Sequence, residues 1–265
     1  MQIHPSSIID PTAKIHESVV IGPFTVIEAH VEIDEGTVIE SCVRIGTHTK
    51  IGKNNHIFHT AAVGGIPQDI NFKPETITYT QIGDNNVIRE GVTIHRATKP
   101  GGATVIGNKN FIMAQTHIAH DCQLGNEIAI VTNGQIAGHV RVDDHAFISV
   151  AAVHQFCRVG EFTMLAGYAK VVKDVPPYCL IDGNPATIIG VNAVGMKRAG
   201  FDSSTRDKIK KAYKLIYHSG MNTKQALAKL IEENDPSPQI QKIIEFVSNS
   251  DRGITDHRPI RKSEE

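Results

Sequence analysis

The chain contains no tryptophan, and aromatic residues make up only 5% of it. A core built around large rings is therefore excluded. Cysteines are few and dispersed: Cys42, Cys122, Cys157 and Cys179 form no C-x-x-C pair, which argues against a disulfide framework and fits reduced thiols. No apolar run reaches the roughly 18 residues that a membrane span needs. The opening MQIHPSSIIDP lacks the basic-then-apolar pattern of a secretion signal. A formal net charge of −1 gives no whole-chain footprint for nucleic acid. The expectation is a cytoplasmic protein with no stable membrane insertion, in which Cys42, Cys157 and Cys179 are inert core thiols.

What the sequence does have is a beat. From Ile9 an aliphatic residue returns at every sixth position, through Ile15, Ile21, Ile27, Ile33, Ile39, Ile45, Ile51 and Ile57 to Val63. The beat resumes at Ile82, Ile88 and Ile94, runs from Ile106 to Ile148, and closes on Val153, Val159, Leu165 and Val171. An α-helix repeats near 3.6 residues and an amphipathic strand at 2, so neither yields six. A solenoid of short strands does, with one strand and one corner per hexad and the aliphatic pointing inward. Stacked coils then bury a continuous aliphatic column, which removes the need for rings. Residues 64–81 and 100–105 break the beat and are expected to loop out, as functional segments often do. From Ile148 to Val153 the spacing is five, which predicts a stretched coil.

Beyond Val171 turn formers dominate, and from about Asn192 the period becomes helical. Asp202 and Ser203 read as caps of a helix carrying Ile209, Ala212, Leu215 and Ile216, stopped at Gly220. Ala226, Leu227, Leu230 and Ile231 mark a second helix over 223–234; Ile240, Ile243, Ile244 and Val247 mark a third. The division expected is a β-solenoid over 1–187 and a small helical domain over 188–265, ending in a loose charged tail, DHRPIRKSEE.

Three hexads per coil place Gly138, beside His139, one coil beyond His120. One coil further, less the missing residue, lies Gln155, beside His154. HIAHDC, GHV and HQF should therefore share one corner on rungs about 4.8 Å apart. An imidazole there suits general-base work near neutral pH, and Asp121 is placed to orient it. A zinc site of the gamma carbonic anhydrase kind is one alternative, although H-x-x-H is shorter than that family's spacing. A scaffold without catalysis is another. His16, His30, His48, His56 and His59 read as solvated corner residues without partners.

GTHTK (46–50), TIHRAT (93–98), HIAHDC (117–122), AGHVRVDD (137–144), AVHQFCRVG (152–160), KDVPPY (173–178) and GVNAVGMKRAGF (190–201), in this order, resemble the UDP-N-acetylglucosamine O-acyltransferase family. That family makes the first acyl transfer of lipid A biosynthesis, and the similarity covers essentially the whole chain. The resemblance implies a left-handed parallel β-helix, an exception to the usual right-handed crossover, followed by a small α-helical domain. It implies a homotrimer with sites between subunits, no metal and no cofactor. His120 would take the proton from the sugar's 3-position with Asp121 behind it, and the Gly138 N–H would meet the oxyanion. His117, His139, His154 and Gln155 match sugar and acyl-donor contacts, and Gln68 and Asp69 match contacts to the glucosamine. Asn192 and Arg198 match the nucleotide end, and Gly167 to Lys170 the acyl-chain pocket. The donor implied is a 3-hydroxyacyl chain on acyl carrier protein, an acidic partner for which Arg141, Arg158, Lys170 and Lys173 are candidate contacts. The acceptor implied is UDP-N-acetylglucosamine or its 3-amino analogue. Asn71, Val194 and Ala199 stand where the family commonly has lysine, glutamate and arginine. CoA-dependent hexapeptide transferases share GNPA (183–186) but not this histidine set.

Overall fold

In the computed structural model, which describes residues 2–258, each regular hexad is a two-residue strand followed by a four-residue corner. A two-residue strand turns one side chain in and one out, so the sixth-residue beat is the inward set. Strands pair in parallel with their counterparts one coil away, and the chain winds into a left-handed parallel β-helix with three flat faces. The first face begins at Gln2–Ile3, the second at Ile8–Ile9 and the third at Lys14–Ile15. The column of Ile21, Ile27, Ile33, Ile39, Ile45, Ile51 and Ile57 is fully buried, and Ile3 extends it one hexad before the expected start.

The corners explain where the polar residues went. The third residue of a corner takes left-handed backbone, as in His30 (φ 59°), Asp121 (φ 60°), Asn133 (φ 64°) and His139 (φ 61°). Among residues with a side chain, Asn, Asp and His adopt that conformation most readily. The fourth residue points in and is buried. At the corner between the third and first faces, Asn55, Asn86 and Asn110 occupy this place and bond to one another. Asn55 Oδ1 accepts from the backbone N–H (2.9 Å) and Nδ2 (3.0 Å) of Asn86, whose Oδ1 accepts from Asn110 N–H (2.9 Å).

Several expectations need correction. The excursions differ from 64–81 and 100–105: the first is narrower, 66–78, and the second lies earlier, 96–102. Ala62–Gly65, Tyr79–Ile82 and Ala103–Ile106 are extended strands, and Tyr79 to Ile82 pair with Ala103 to Ile106, so the ends of both loops are drawn into the sheet. The short spacing before Val153 does not stretch its coil. The corner there has three residues, 149–151, while Gln135 still pairs with Ala152 and Ile136 with Val153. Cys42 is exposed at a left-handed corner position rather than in the core. The five histidines expected to lack partners have them: His56 bonds Glu40 at 2.9 Å, His16 bonds Ser18 at 2.9 Å, His59 lies 3.5 Å from Glu40, and His30 stacks on His48.

Four helices follow the solenoid: α1 (Ala193–Arg198), α2 (Ser203–His218), α3 (Thr223–Glu233) and α4 (Pro238–Ser248). The short α1 was not expected, and the strand before it, Thr187–Val191, runs antiparallel across position 187, where the two parts were divided. Asp202 caps α2 by accepting from Thr205 N–H at 2.6 Å. Ile231, expected on the buried stripe of α3, is 53% exposed, whereas Phe246 of α4 is buried. The helices are bound to the solenoid by polar contacts: Tyr213 O–H donates to Pro177 O (2.5 Å), and Ser250 Oγ–H to Asp174 (2.8 Å). The tail is not loose at its start. Asp256 pairs with Lys173 and Arg258 with Asp182, each at 2.8 Å; positions 259–265 lie outside the described residues.

Candidate active site

HIAHDC begins as a strand of the second face, His117–Ile118, and turns at His120–Asp121 toward the third. The corners above it follow the coil arithmetic: His139 N–H donates to His120 O (3.0 Å), and Phe156 N–H to Gly138 O (3.1 Å). His120, Gly138 and Gln155 are thus stacked as second corner residues. Gly138 sits over the His120 ring so closely that a Cβ would stand 2.6 Å from its Cε1. Glycine leaves the ring in place, and any side chain would have to displace it. Among the described residues no acceptor meets the Gly138 N–H.

His120 Nδ1 lies 2.8 Å from Asp121 Oδ2. Burial by itself raises the Asp121 pKa, but hydrogen bonds from the Thr98 side chain, His120 and the Thr98 backbone overcome it and hold the carboxyl below its ordinary value. An ionised Asp121 makes Nδ1 the protonated nitrogen, which leaves Nε2 as the free base. The support comes from the second excursion: Thr98 Oγ1–H donates to Oδ2 at 2.7 Å and Thr98 N–H lies 3.1 Å away. Thr98 was missed in the sequence because a loop's landing point leaves no trace in a six-residue beat.

The neighbouring imidazoles are kept neutral. Burial, reinforced by His117 and His120, pushes His95 down to about 4. Burial and then His120 lower His117, which bonds Thr93 Oγ1 at 2.7 Å and meets His95 edge-on. His139 is also lowered, chiefly by burial and against the pull of Asp121; its ring stacks on Phe156 with centroids 4.5 Å apart. His95 lies in TIHRAT and was not singled out as a site residue. Its coil follows a long excursion, so counting by eighteen misses it.

These groups open on a groove of about 370 Å³ lined by Gln68, His117, His120, Gly138, His154 and Lys170, with Gln135 and Ala152 along its floor. Gln68 reaches it from the first excursion. Asp69 is near enough for its charge to act on His139. His154 and Gln155 are exposed, and His154 Nδ1 bonds the Gln155 carbonyl at 3.1 Å. Gly167 does not join Lys170 in the groove, because it belongs to the corner between the first and second faces. Asn192 is committed within the chain: it caps α1 at Gly195 N–H and donates to Phe162 O, both at 2.9 Å. That puts Asn192 and the exposed Arg198 beside the corner between the third and first faces, one full side of the triangle from His120. The expected basic contacts do not form one surface. Arg158 stacks on Phe246 and donates to Asn249 O (2.9 Å), Lys173 holds Asp256, Arg141 lies on the third face and Lys170 on the second.

Other chemistries find weaker footing. Cys122 is fully buried, and burial pushes its thiol up to about 12, unsuited to nucleophilic attack. Among the described residues one trio, His120, Asp121 and His139, brings metal-capable atoms within 4.8 Å of one another. Its carboxylate already accepts from Thr98 and from His120 Nδ1, so two of the three groups that an ion would recruit are committed to one another. No helix among the described residues is long and apolar enough to cross a membrane.

Comparison with known proteins gives a consistent result. Residues 174–255 match the family described as "Udp N-acetylglucosamine O-acyltransferase; Domain 2", and residues 12–47 match "Bacterial transferase hexapeptide (six repeats)". The acyl-[acyl-carrier-protein]--UDP-N-acetylglucosamine O-acyltransferase of Burkholderia orbicola is 44% identical over 96% of this chain and 98% of its own length. That of a Janthinobacterium species is 44% identical over 95% and 98%. The solved structure of Francisella novicida UDP-N-acetylglucosamine acyltransferase superposes with a TM-score of 0.94 at 41% identity, covering 97% of this chain and 95% of that one.

Proposed function

This chain belongs to the UDP-N-acetylglucosamine O-acyltransferase family, and from that premise we propose how its residues carry out the reaction. The enzyme transfers a 3-hydroxyacyl chain from acyl carrier protein to UDP-N-acetylglucosamine, in the first acylation of lipid A biosynthesis. The observation that carries the residue assignment is the His120–Asp121 pair beneath Gly138, at the wall of the groove. His120 Nε2 removes the proton of the sugar's 3-hydroxyl as its oxygen attacks the thioester carbonyl. The Gly138 N–H stabilises the oxyanion, and the proton passes from His120 to the departing thiolate. Asp121 keeps the ring in one tautomer and compensates the transient imidazolium. Gln68, Asp69, His117 and His139 hold the glucosamine, with His154 and Gln155 above them on the donor side. Lys170 lines the acyl channel, and Arg198 binds the diphosphate as a charge-assisted partner.

One chain does not close such a site, since Asn192 and Arg198 lie at a different corner from His120. We infer a homotrimer in which a neighbouring subunit supplies the nucleotide end. The outward column of the first face supports this reading: Val20, Val38, Val87, Phe111, Phe147 and Met164 are apolar, with His56 a polar member between Val38 and Val87. A cytoplasmic location suits a donor carried on acyl carrier protein. The test is to incubate the protein with UDP-N-acetylglucosamine or its 3-amino analogue and a panel of 3-hydroxyacyl carrier proteins, and weigh the products. A mass increase equal to the acyl group on the sugar nucleotide is expected. No product with any pair, or sedimentation of an active monomer, would overturn the respective assignment.

A further inference from the structure

Arg96 follows the strand Thr93–His95 and opens the excursion that brings Thr98 to Asp121. It is only 4% exposed. Among the described residues no carboxylate bonds it. Glu28, whose charge reaches it, already accepts from Arg44 Nε (2.8 Å) and the Thr47 N–H (2.9 Å). The Arg96 Nε is buried and, among the described residues, has no partner. A guanidinium left in that state costs free energy that an apolar side chain of similar length would not. Its presence is explained by what the rest of the side chain grips.

That is the first excursion, 66–78, at both of its limbs. The Arg96 backbone N–H donates to Gly65 O (3.0 Å), where the excursion leaves the sheet. The side chain reaches the returning limb: Nη2–H donates to Pro74 O (3.1 Å), and the guanidinium lies 5.3 Å from the centroid of the Phe72 ring. Between these holds lie Gln68, which lines the groove, and Asp69, whose charge acts on His139. The bonds inside that stretch are local, since the Asn71 and Phe72 N–H groups reach only Asp69, at 2.8 and 3.0 Å. The last residues of the excursion are held separately, by Gly101 N–H on Ile77 O (3.0 Å). Beneath it is a cavity of about 500 Å³ with Ile66, Pro74 and Arg96 in its walls, so packing from below does not fix the stretch. The fork of Arg96 does.

We propose that Arg96 is a positioning residue for the acceptor, holding residues 66–74 so that Gln68 and Asp69 face the groove; the proposal rests on the reading of those two as sugar contacts. Methionine keeps the length of the arginine stem but has neither the planar fork nor the charge. Contacts made in ground and transition state alike appear in KM and not in kcat. With a saturating 3-hydroxyacyl carrier protein, Arg96→Met should therefore raise the KM for UDP-N-acetylglucosamine roughly tenfold, the worth of one hydrogen bond to a charged group, and nearly keep kcat. In a protein already carrying Gln68→Ala and Asp69→Ala, the held stretch has nothing left to present. There Arg96→Met should add little, because coupled sites are not additive. A wild-type KM in folded Arg96→Met overturns the proposal; so does a fall in kcat at unchanged KM, or a full tenfold rise on top of the Gln68→Ala, Asp69→Ala protein. Should Arg96→Met fail to fold, Phe72→Ala removes the ring from the guanidinium's face and leaves the solenoid intact; it should raise the same KM, and a wild-type value there overturns the proposal. An unchanged KM in the Gln68→Ala, Asp69→Ala protein itself would strike the reading of those two residues, and the proposal with it.

Discussion

Replacing Gly138 with alanine perturbs the position of His120 without removing any polar side chain. Gly138 has no positive φ, so the backbone accepts alanine. The new Cβ would stand 2.6 Å from His120 Cε1 and 2.9 Å from Nε2. Carbon contacts are comfortable at roughly 3.5–4.0 Å, so the ring must withdraw by about 1 Å. It cannot withdraw freely, because Nδ1 is tied at 2.8 Å to a carboxylate that Thr98 holds in turn. A displacement of about 1 Å in a catalytic group costs on the order of 10²-fold in rate. Gly138→Ala is therefore expected to lower kcat by about that factor. Overpacking of this kind costs about 1–3 kcal/mol, so the melting temperature should fall modestly while the fold persists. Steady-state kinetics with a melting curve reads both. A wild-type kcat in the folded variant would refute the assignment of His120 as base and of the Gly138 N–H as its companion.

His120→Ala should lose roughly 10²- to 10⁴-fold in kcat with an unchanged melting temperature. His16→Ala is the control, since that corner histidine bonds only a serine; equal behaviour of the two variants would make HIAHDC structural. Arg198→Ala should raise the KM for the sugar nucleotide and spare kcat, and an unchanged KM would place the diphosphate elsewhere. Thr98→Val removes an O–H donor from Asp121, whose pKa is depressed in the fold. A depressed carboxyl contributes stability above its unfolded pKa, near 3.9, and that contribution is lost as pH falls through the folded value. The variant should therefore unfold at a higher pH on acidification, measured as the acid unfolding midpoint. An unmoved midpoint would show that Thr98 does not set the charge of Asp121.

The solenoid and the stacking of His120, Gly138 and Gln155 were legible because inward aliphatics repeat at a fixed interval and corners inherit that interval. Legibility stopped where the interval did. Thr98 reaches Asp121, and Gln68 reaches the groove, from loops whose course depends on contacts that the beat does not encode. The short α1 has too few residues to show a helical period, and Cys42 looked like a core residue although its corner position faces out. The corner before Val153 illustrates the same limit. The sequence revealed that a residue was absent, but the strand register across the gap was needed to show that the corner tightened and the coil did not stretch.

The asparagine ladder at the corner between the third and first faces bears on how the chain finds this fold. The aliphatic beat is the same in every coil, so burial alone gives Ile82 no reason to stack on Ile51 rather than on Ile33. The ambiguity is worst around the two excursions, where coil length changes. Asn55, Asn86 and Asn110 span those coils, and their amides satisfy one another only when Asn86 lies between Asn55 and Asn110 on successive rungs. A slipped coil would bury an amide against threonine or isoleucine, at about 1–3 kcal/mol for each group left unpaired. The ladder thus works as a proofreading device. It adds little to the driving force for winding the solenoid, but it rejects the windings that would bring Thr98 and Gln68 to the wrong rung.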